Sequence, residues 1–182
     1  MALPTAGPVG QRITRHGRDV SIRCDRHRIR ILVQVVVRAG NVRPMVDQLD
    51  LDPTDVGNGT LLHRMGISIL EATPQRVVAT MPVEGNVQPL GLLHGGASCV
   101  LAETLGSIGA SMHARQSFGG YAVGVEISAT HHRGVTTGRV TAVATPLHLG
   151  QQVASYEIVI TDESDRRVCT ARLTCMLQRP RD

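Results

Sequence analysis

The chain has 182 residues, which is enough for one domain with a substantial core and too few for two domains of ordinary size. Only 2% of the residues are aromatic and none is Trp, so the stacking surface of a single-stranded nucleic-acid binder is missing. The formal charge of +4 is unevenly distributed, because nine of the 19 basic residues lie in the first 44 positions beside only two acids. The rest of the chain is slightly acidic, and we predict no nucleic-acid partner.

The Arg-rich segment 1–44 differs in composition from everything after it. It has little helical periodicity and contains no clean signal cleavage site, and it is only weakly similar to an amphipathic transit peptide. Three interpretations remain open: translated codons upstream of a true start at Met45, a disordered extension, or a functional basic arm. We therefore treat 1–44 as a leader and 45–182 as the folded domain.

The cysteines indicate the compartment. The four cysteines form no CxxC pair and no Cys/His ligand spacing, which predicts reduced thiols in a cytoplasmic protein and no metal site. The apolar run 29–39 is interrupted by Arg30, Gln34 and Arg38, so it is too short and too polar to span a membrane. We accordingly expect no membrane partner.

The domain is predicted to open with a short helix and a hairpin. Residues 60–65 form a candidate helix that brings Leu61, Leu62 and Met65 to the core. Strand-like runs at 67–72 and 76–82 flank the turn formers at 73–75, a pattern typical of two antiparallel strands joined by a turn.

A glycine-rich loop over 85–96 precedes the strongest helix pattern of the chain, residues 97–114. This helix is apolar on most sides and carries one narrow stripe of small or polar residues. A helix of this kind is expected to be wrapped by other structure. The apolar side chains are Val100, Leu101, Leu105, Ile108 and Met112, and the stripe is Cys99, Glu103, Ser107 and Ala110.

Four runs rich in β-branched residues follow, at 121–131, 139–146, 153–161 and 168–177. The breaks between them are short, so each strand is expected to pair antiparallel with the next. The pattern predicts an α+β fold in which a curved antiparallel sheet of about six strands wraps one long helix.

Glu103 is the only formally charged residue between Gly85 and Ala114. No Arg lies at helical spacing to pair with it, and a buried unpaired carboxylate costs several kcal/mol or shifts its pKa upward. Such a group is a candidate for catalysis. The alternative is a structural carboxylate that is bonded to backbone amides or to a partner across an interface.

The stretch from Gln88 to Ser107, QPLGLLHGGASCVLAETLGS, resembles the hotdog-fold acyl-CoA thioesterases. Within them it is most similar to the clade of 1,4-dihydroxy-2-naphthoyl-CoA, 4-hydroxybenzoyl-CoA and phenylacetyl-CoA-pathway thioesterases. The similarity continues through 123–127, 131–133 and 146–150, and it covers about 61–177. The leader lies outside it.

The resemblance implies a homodimer with a continuous sheet, commonly a tetramer of two dimers, and active sites at the dimer interface. Glu103 would attack the thioester carbonyl or activate water, and the residues alone leave both roles open. The Gly95 amide would bind the oxyanion at the start of the helix. Gln88 would hold the carbonyl or the water, His94 would orient the loop or the substrate, and Ser107 would bond to the acyl group or the water.

The substrate contacts that the resemblance implies lie further along the chain. Gly124 would touch the substrate through its backbone, and basic groups would bind the CoA phosphates. The latter set consists of His131, His132, Arg133 and His148, with Gly134, Leu149 and Gly150 shaping the same loops. The chain departs from close relatives at Thr130, Gln152 and Val153. No cofactor is expected.

Two other functions remain open. One is a non-catalytic acyl-CoA-binding or regulatory module. The other is an enoyl-CoA hydratase, which would need an Asp and a His near the helix start, where this helix offers Glu103. A serine esterase of the α/β-hydrolase type is excluded because the chain has no Gly-x-Ser-x-Gly motif.

Overall fold

A computed structural model describes residues 24–25, 28–29 and 59–180. The chain divides into two units, 1–44 and 45–182. In the first unit, β1 (Cys24–Asp25) pairs antiparallel with β2 (Arg28–Ile29). The remainder of the leader, and with it the expectation of a disordered extension or an upstream start, lies outside the described residues.

The second unit is one long helix against a six-stranded antiparallel sheet, which confirms the predicted α+β fold. The sheet order is β3-β4-β6-β7-β8-β5. Its elements are α1 (Leu61–Arg64), β3 (Ser68–Ala72), β4 (Val77–Pro82), α2 (Gly95–Phe118), β5 (Tyr121–His131), β6 (Arg139–Leu149), β7 (Val153–Asp162) and β8 (Arg167–Gln178).

The first helix and the hairpin agree with the sequence pattern except at one residue. The Thr60 side chain caps α1, and β3 pairs antiparallel with β4. Leu62 and Met65 pack against the core, but Leu61 is 52% exposed. The prediction for Leu61 was wrong because a single helical turn presents only one side to the core, and residues i and i+3 share that side.

Helix α2 is longer at both ends than the sequence predicted. The Nδ1 atom of His94 accepts a hydrogen bond from the Gly96 amide at 2.8 Å, and this cap lets Gly95 and Gly96 be the first helical residues instead of preceding the helix. Gly119 ends the helix at φ 70°, a left-handed cap that favours glycine. Although α2 has 24 residues, no helix in the described residues is long and apolar enough to cross a membrane.

The expected pairing of β5 with β6 was wrong. Strand β6 lies between β4 and β7, whereas β5 pairs with β8 at the edge of the sheet. The link between β5 and β6 crosses beside the loop that precedes α2, where the Leu93 amide donates to the Val135 carbonyl at 2.7 Å. The Val83 amide likewise donates to the Gly138 carbonyl, at 2.9 Å. Both sides of β6 are already occupied, so the short link spans the helix end instead of forming a hairpin.

Small residues on α2 allow the sheet to approach closely. A methyl group at Gly109 would lie 2.8 Å from the ring of Tyr156, and one at Gly106 would lie 2.5 Å from Cδ2 of Leu173. Tyr156 is fully buried, and its hydroxyl donates to the Pro74 carbonyl at 2.7 Å. The hydroxyl end of the ring is therefore held by the Pro74 carbonyl and lies against Gly109, which lets α2 pack directly on β7.

We predict that Gly109→Ala lowers the free energy of unfolding by about 1–3 kcal/mol, because overpacking against a fixed ring outweighs the helix propensity gained. Gly106→Ala is the matched comparison and should cost less, since the end of the Leu173 side chain can rotate. Urea denaturation of both variants checks this. An equal or smaller cost at Gly109 would contradict the packing described here.

Candidate active site

Among the described residues, the Glu103 side chain makes a single hydrogen bond, to another residue of α2. Its side chain is half-buried, and the Ser107 hydroxyl, one helical turn further on, donates to Oε1 at 3.5 Å. No Arg or His side chain forms an ion pair with it anywhere in residues 59–180. Burial raises the pKa of the Glu103 carboxyl above its usual value, and the hydrogen bond from Ser107 lowers it by less. The carboxylate is therefore available and more basic than an exposed one.

Gly124 on β5 leaves the space that the carboxylate fills. A methyl group at Gly124 would overlap Oε1 of Glu103. The pairing register with β8 shifts just after Gly124, so that Val125 is an extra residue in the edge strand. A bulge of this kind commonly re-aims the backbone next to a site. The predicted substrate contact and the predicted catalytic carboxylate thus lie against each other.

Only one of the two glycine amides at the helix start is available to a ligand. The Gly96 amide is already bonded to His94, whereas that of Gly95 has no hydrogen-bond partner among the described residues. The Gly95 amide lies at the positive end of the α2 dipole, where it favours a negative charge. His94 is the N-cap residue of α2 and accepts the Gly96 amide, and its orienting role stays a prediction.

Gln88 lies in the loop before α2, and both its backbone and its side chain form hydrogen bonds within that loop. The Gln88 amide donates to the Leu92 carbonyl at 2.8 Å, and the Gln88 side-chain oxygen accepts from the Leu90 amide at 3.5 Å. The Asn86 side chain ties the same loop to the Met65 and Pro82 carbonyls. Gln88 is half-buried on a loop fixed by its own hydrogen bonds.

The adjacent histidines at the end of β5 point in opposite directions. The His131 ring lies beside the helix start, with Nε2 2.9 Å from where a Gly95 methyl group would be. His132 Nε2 hydrogen-bonds to the Thr170 hydroxyl on the outer side of the sheet at 3.0 Å. His131 therefore accompanies the oxyanion candidate, and His132 does not. No cluster of three or more His, Cys, Asp or Glu residues in the described chain is placed to hold a metal.

The remaining expected substrate contacts fall into two separate groups. Gly134 lies against Leu92 near the start of α2, with the exposed Arg133 beside it. His148, Leu149 and Gly150 lie instead at the end of β6, where the Gly150 carbonyl is 2.8 Å from His113 Nε2. At 1.5 Å rise per residue, His113 is about 15 Å along the helix axis beyond Glu103. Within one chain the two groups are not brought together.

The sequence did not indicate that Cys175 belongs to this site. Cys175 is fully buried on β8 directly opposite Gly124. Burial raises the pKa of its thiol to about 11, a hydrogen bond with Ser107 lowers it, and the nearby Glu103 charge raises it. Only the pairing of β5 with β8 reveals this neighbourhood, and the sequence pattern had predicted a different partner for β5.

Residues 90–169 match the family model described as "Thioesterase superfamily". The chain is 50% identical over 125 residues to the proofreading thioesterase EntH of Cronobacter turicensis, covering 68% of this chain and 88% of that protein. The chain belongs to the thioesterase superfamily. This thioesterase is a thioester hydrolase with the hotdog fold, as the sequence resemblance predicted.

Solved structures agree with this membership. A thioesterase from Haemophilus influenzae is 37% identical with a TM-score of 0.62, covering 69% of this chain and 86% of that chain. A mutant thioesterase from Pseudomonas aeruginosa is 36% identical with a TM-score of 0.63, covering 75% of this chain and 96% of that chain. Each of these alignments leaves a quarter or more of this thioesterase unmatched.

We predict that Gly124→Ala reduces thioester hydrolysis at least about tenfold while the protein stays folded, because the added methyl group displaces the carboxylate from Ser107 and misplaced groups cost heavily. Ser128→Ala, an exposed position on the same strand, is the control and should retain activity. Steady-state kinetics with circular dichroism checks both. Full activity in Gly124→Ala would show that the observed position of Glu103 is not the working one.

Proposed function

We propose that the chain is an acyl-CoA thioesterase in which Glu103 begins the hydrolysis. The observation that carries the proposal is a half-buried carboxylate with no cationic partner in the described residues and a single hydroxyl donor. Structural carboxylates in apolar surroundings are normally paired. This one is left free to meet a thioester.

Two chemical routes fit the carboxylate. It can attack the carbonyl carbon to form a mixed anhydride, with the C–S bond breaking and the CoA thiolate leaving, after which water hydrolyses the anhydride. Alternatively, it can take a proton from a water molecule that attacks the same carbon, after which the C–S bond breaks, the CoA thiolate leaves and takes up a proton, and the free acid remains. In both routes negative charge develops on the carbonyl oxygen, and the unbonded Gly95 amide is suited to donate a hydrogen bond to that oxygen.

The spacing of these groups argues for two chains per site. Gly95 and Glu103 are eight residues apart on one helix, which is about 12 Å along the axis. Glu103 also bonds forward to Ser107, away from the helix start. A carbonyl within about 3 Å of the carboxylate and about 3 Å of an amide cannot bridge that distance. We therefore assign Glu103 and Gly95 of one site to different protomers.

The edge strand β5 is the surface proposed to join the protomers. Among the described strands it has no neighbour on its outer side, and Val123, Val125 and Ile127 are 49%, 56% and 36% exposed. Pairing two such edges would cover this apolar surface and remove an unprotected sheet edge. Glu103 lies against Gly124 on the same strand, so the partner would arrive directly beside the carboxylate. We propose a homodimer formed in this way, with further pairing into a tetramer.

For the substrate we propose an aromatic acyl-CoA, with 1,4-dihydroxy-2-naphthoyl-CoA first and a medium-chain acyl-CoA second, in a cytoplasmic enzyme that uses no cofactor. This choice is supported by the resemblance of 88–107 to that clade. A second candidate is a proofreading role, which is favoured by 50% identity to a protein of that name. Hydrolysis of 1,4-dihydroxy-2-naphthoyl-CoA as the dedicated substrate requires selectivity for one acyl group, whereas proofreading requires tolerance of many acyl groups.

Glu103→Gln is expected to lower kcat for acyl-CoA hydrolysis about a thousandfold, because the amide can neither attack nor accept a proton. Glu84→Gln, in an exposed loop, is the matched control and should be unaffected. Wild-type rates from Glu103→Gln would refute the assignment. Saturable acyl-CoA binding without turnover by the wild-type protein would favour the non-catalytic alternative.

The substrate class is tested by kcat/KM for naphthoyl-type, benzoyl-type and aliphatic CoA esters. The assignment of 1,4-dihydroxy-2-naphthoyl-CoA as substrate predicts a preference for the naphthoyl ester of about 1.4 kcal/mol or more, a factor of ten. Similar values across the panel would point instead to proofreading.

Gly95→Pro tests both the oxyanion role and the shared site, because proline removes the amide hydrogen and is tolerated at the first helical position. We expect about a hundredfold loss of kcat. Gly95→Ala is the matched control, since it adds a similar bulk near His131 but keeps the amide. Gly95→Ala should therefore lose much less.

Mixing the inactive chains provides the second half of that test. Co-expressed Gly95→Pro and Glu103→Gln chains should recover about a quarter of the wild-type activity, because random pairing leaves that share of shared sites intact. No recovery above the separate variants would mean that each site is built from one chain.

A further inference from the structure

The edge of β5 that no described strand covers has backbone groups free to pair. In an antiparallel ladder, alternate residues direct their N–H and C=O groups to one neighbour, and the residues between them direct theirs to the other side. The His132 amide donates to the Val168 carbonyl of β8 at 2.8 Å. By alternation along β5, the residues whose backbone groups face the open edge in this half of the strand are Ile127, Ala129 and His131.

The alternation changes in the first half of β5. The Ala122 amide donates to the Ser111 hydroxyl of α2 at 3.3 Å instead of to β8. Leu177, which is paired with Ala122 in the register, likewise donates to the turn before β7 at 2.8 Å. Ala122 and Gly124 therefore face the open edge, and Val125, the extra residue at the register shift, accounts for the change.

Gly124 and His131 both lie on the helix side of β5. Gly124 lies against Glu103, and the His131 ring lies beside Gly95. Residues that face each other across an antiparallel pair have side chains on the same side of the sheet, and both must direct backbone groups to the shared edge to exchange hydrogen bonds. Gly124 of one chain and His131 of a second copy meet both conditions. Their pairing would also bring the second copy's Gly95 to Glu103.

From that pair the count converges on Ser128. Val125 takes no partner, because it is the extra residue of the strand. A two-fold axis maps each pair onto its reverse, so the pairing must close symmetrically, and with Val125 left out it does. Counting Val125 would instead place Ile127 opposite Ser128, whose side chains lie on opposite sides of the sheet. With the residue of the second copy given second, the pairs are Gly124 with His131, Glu126 with Thr130, Ile127 with Ala129 and Ser128 with Ser128.

The same register separates the like charges of the two strands. Glu126 is the only formally charged residue in β5. The two copies of Glu126 would lie four residues apart, about 13 Å along the strand, and each would face a threonine. A pairing centred on Glu126 would set the two carboxylates directly opposite each other, which is destabilising.

We propose that two copies of the chain pair through β5 about a two-fold axis at Ser128, and that this register places the partner's Gly95 and the partner's His131 beside Glu103. The inference rests on the proposed function, because the shared site selects this register among the antiparallel alternatives. Each site then contains Glu103 and Gly124 from one chain and Gly95 and His131 from the other. His131 thereby joins the site from the partner, next to the thioester carbonyl that Gly95 binds.

The register is tested by disulfide cross-linking of Ser128→Cys. Because the backbone groups of Ser128 face β8, its two copies form a non-hydrogen-bonded pair with Cα atoms about 4.5 Å apart, within the range that a disulfide spans. Oxidised glutathione takes up the two electrons and two protons that the thiols release. Most of the Ser128→Cys protein should run as a covalent dimer on non-reducing electrophoresis. The wild-type protein, treated alike, gives the background from the native cysteines.

Two neighbours on the same side of β5 provide the matched controls. Thr130→Cys and Glu126→Cys each place their two thiols about 13 Å apart along the strand, too far for a disulfide, so neither should cross-link above background. The double variant Glu126→Cys/Thr130→Cys pairs the unlike positions and should form the covalent dimer again. Ser128→Cys at background, or a covalent dimer of equal yield in Thr130→Cys or Glu126→Cys alone, would overturn the proposal.

Activity shows whether the cross-linked dimer is the working one. The bridge lies on the outer side of the sheet, away from Glu103, so cross-linked Ser128→Cys should hydrolyse acyl-CoA within about twofold of its reduced form. Ser128→Ala also fits the close pair and keeps the dimer. A loss of about tenfold or more on cross-linking, reversed by reduction, would mean that the working register is a different one.

Glu103→Gln, assayed beside these variants, separates this proposal from the proposed function. Full activity in Glu103→Gln refutes the proposed function, whether or not Ser128→Cys cross-links. An inactive Glu103→Gln together with Ser128→Cys at background refutes only the register.

Discussion

The constraint on which this structure depends is a carboxylate placed on an apolar helix that packs against a six-stranded sheet. Leu101 and Leu105, on either side of Glu103 in sequence, are fully buried, so α2 cannot turn away from the sheet without exposing its core face. Glu103 is consequently fixed against β5 and β8. Its desolvation is offset by one serine hydroxyl, which leaves the pKa raised and the charge uncompensated. That unfavourable electrostatic state is what makes the group chemically useful.

Glycine sets the distances at which this arrangement works. Gly109 lets Tyr156 pack on the helix, and Gly124 lets the carboxylate reach the backbone of the edge strand. Gly95 begins the helix with an amide that no described residue uses. The first position serves packing and the other two serve the site. Gly124 lies on a strand that has no outer neighbour among the described strands, and Gly95 lies about 12 Å along the helix axis from Glu103. These two facts are the basis on which we propose that a second chain completes the site.

The sequence predicted the elements better than their contacts. Alternating and helical periodicities are local, so the hairpin, the long helix and the later strands were predicted with errors only near their ends. The pairing of β5 with β8 was missed because it depends on a link held by the Leu93 and Val83 amides, and no local pattern encodes that. The isolation of Glu103 was visible in sequence, whereas its contact with Gly124 and the nearness of Cys175 require the register of two distant strands.

The central claim is that Glu103 of one protomer and the Gly95 amide of another act on one thioester carbonyl. A crystal structure with a non-hydrolysable acyl-CoA analogue measures this directly. The account predicts the carbonyl carbon about 3–3.5 Å from a Glu103 carboxylate oxygen, with the carbonyl oxygen in hydrogen-bond range of the Gly95 amide of the other protomer. A carbonyl remote from Glu103, or one held by Glu103 and Gly95 of the same chain, would contradict it.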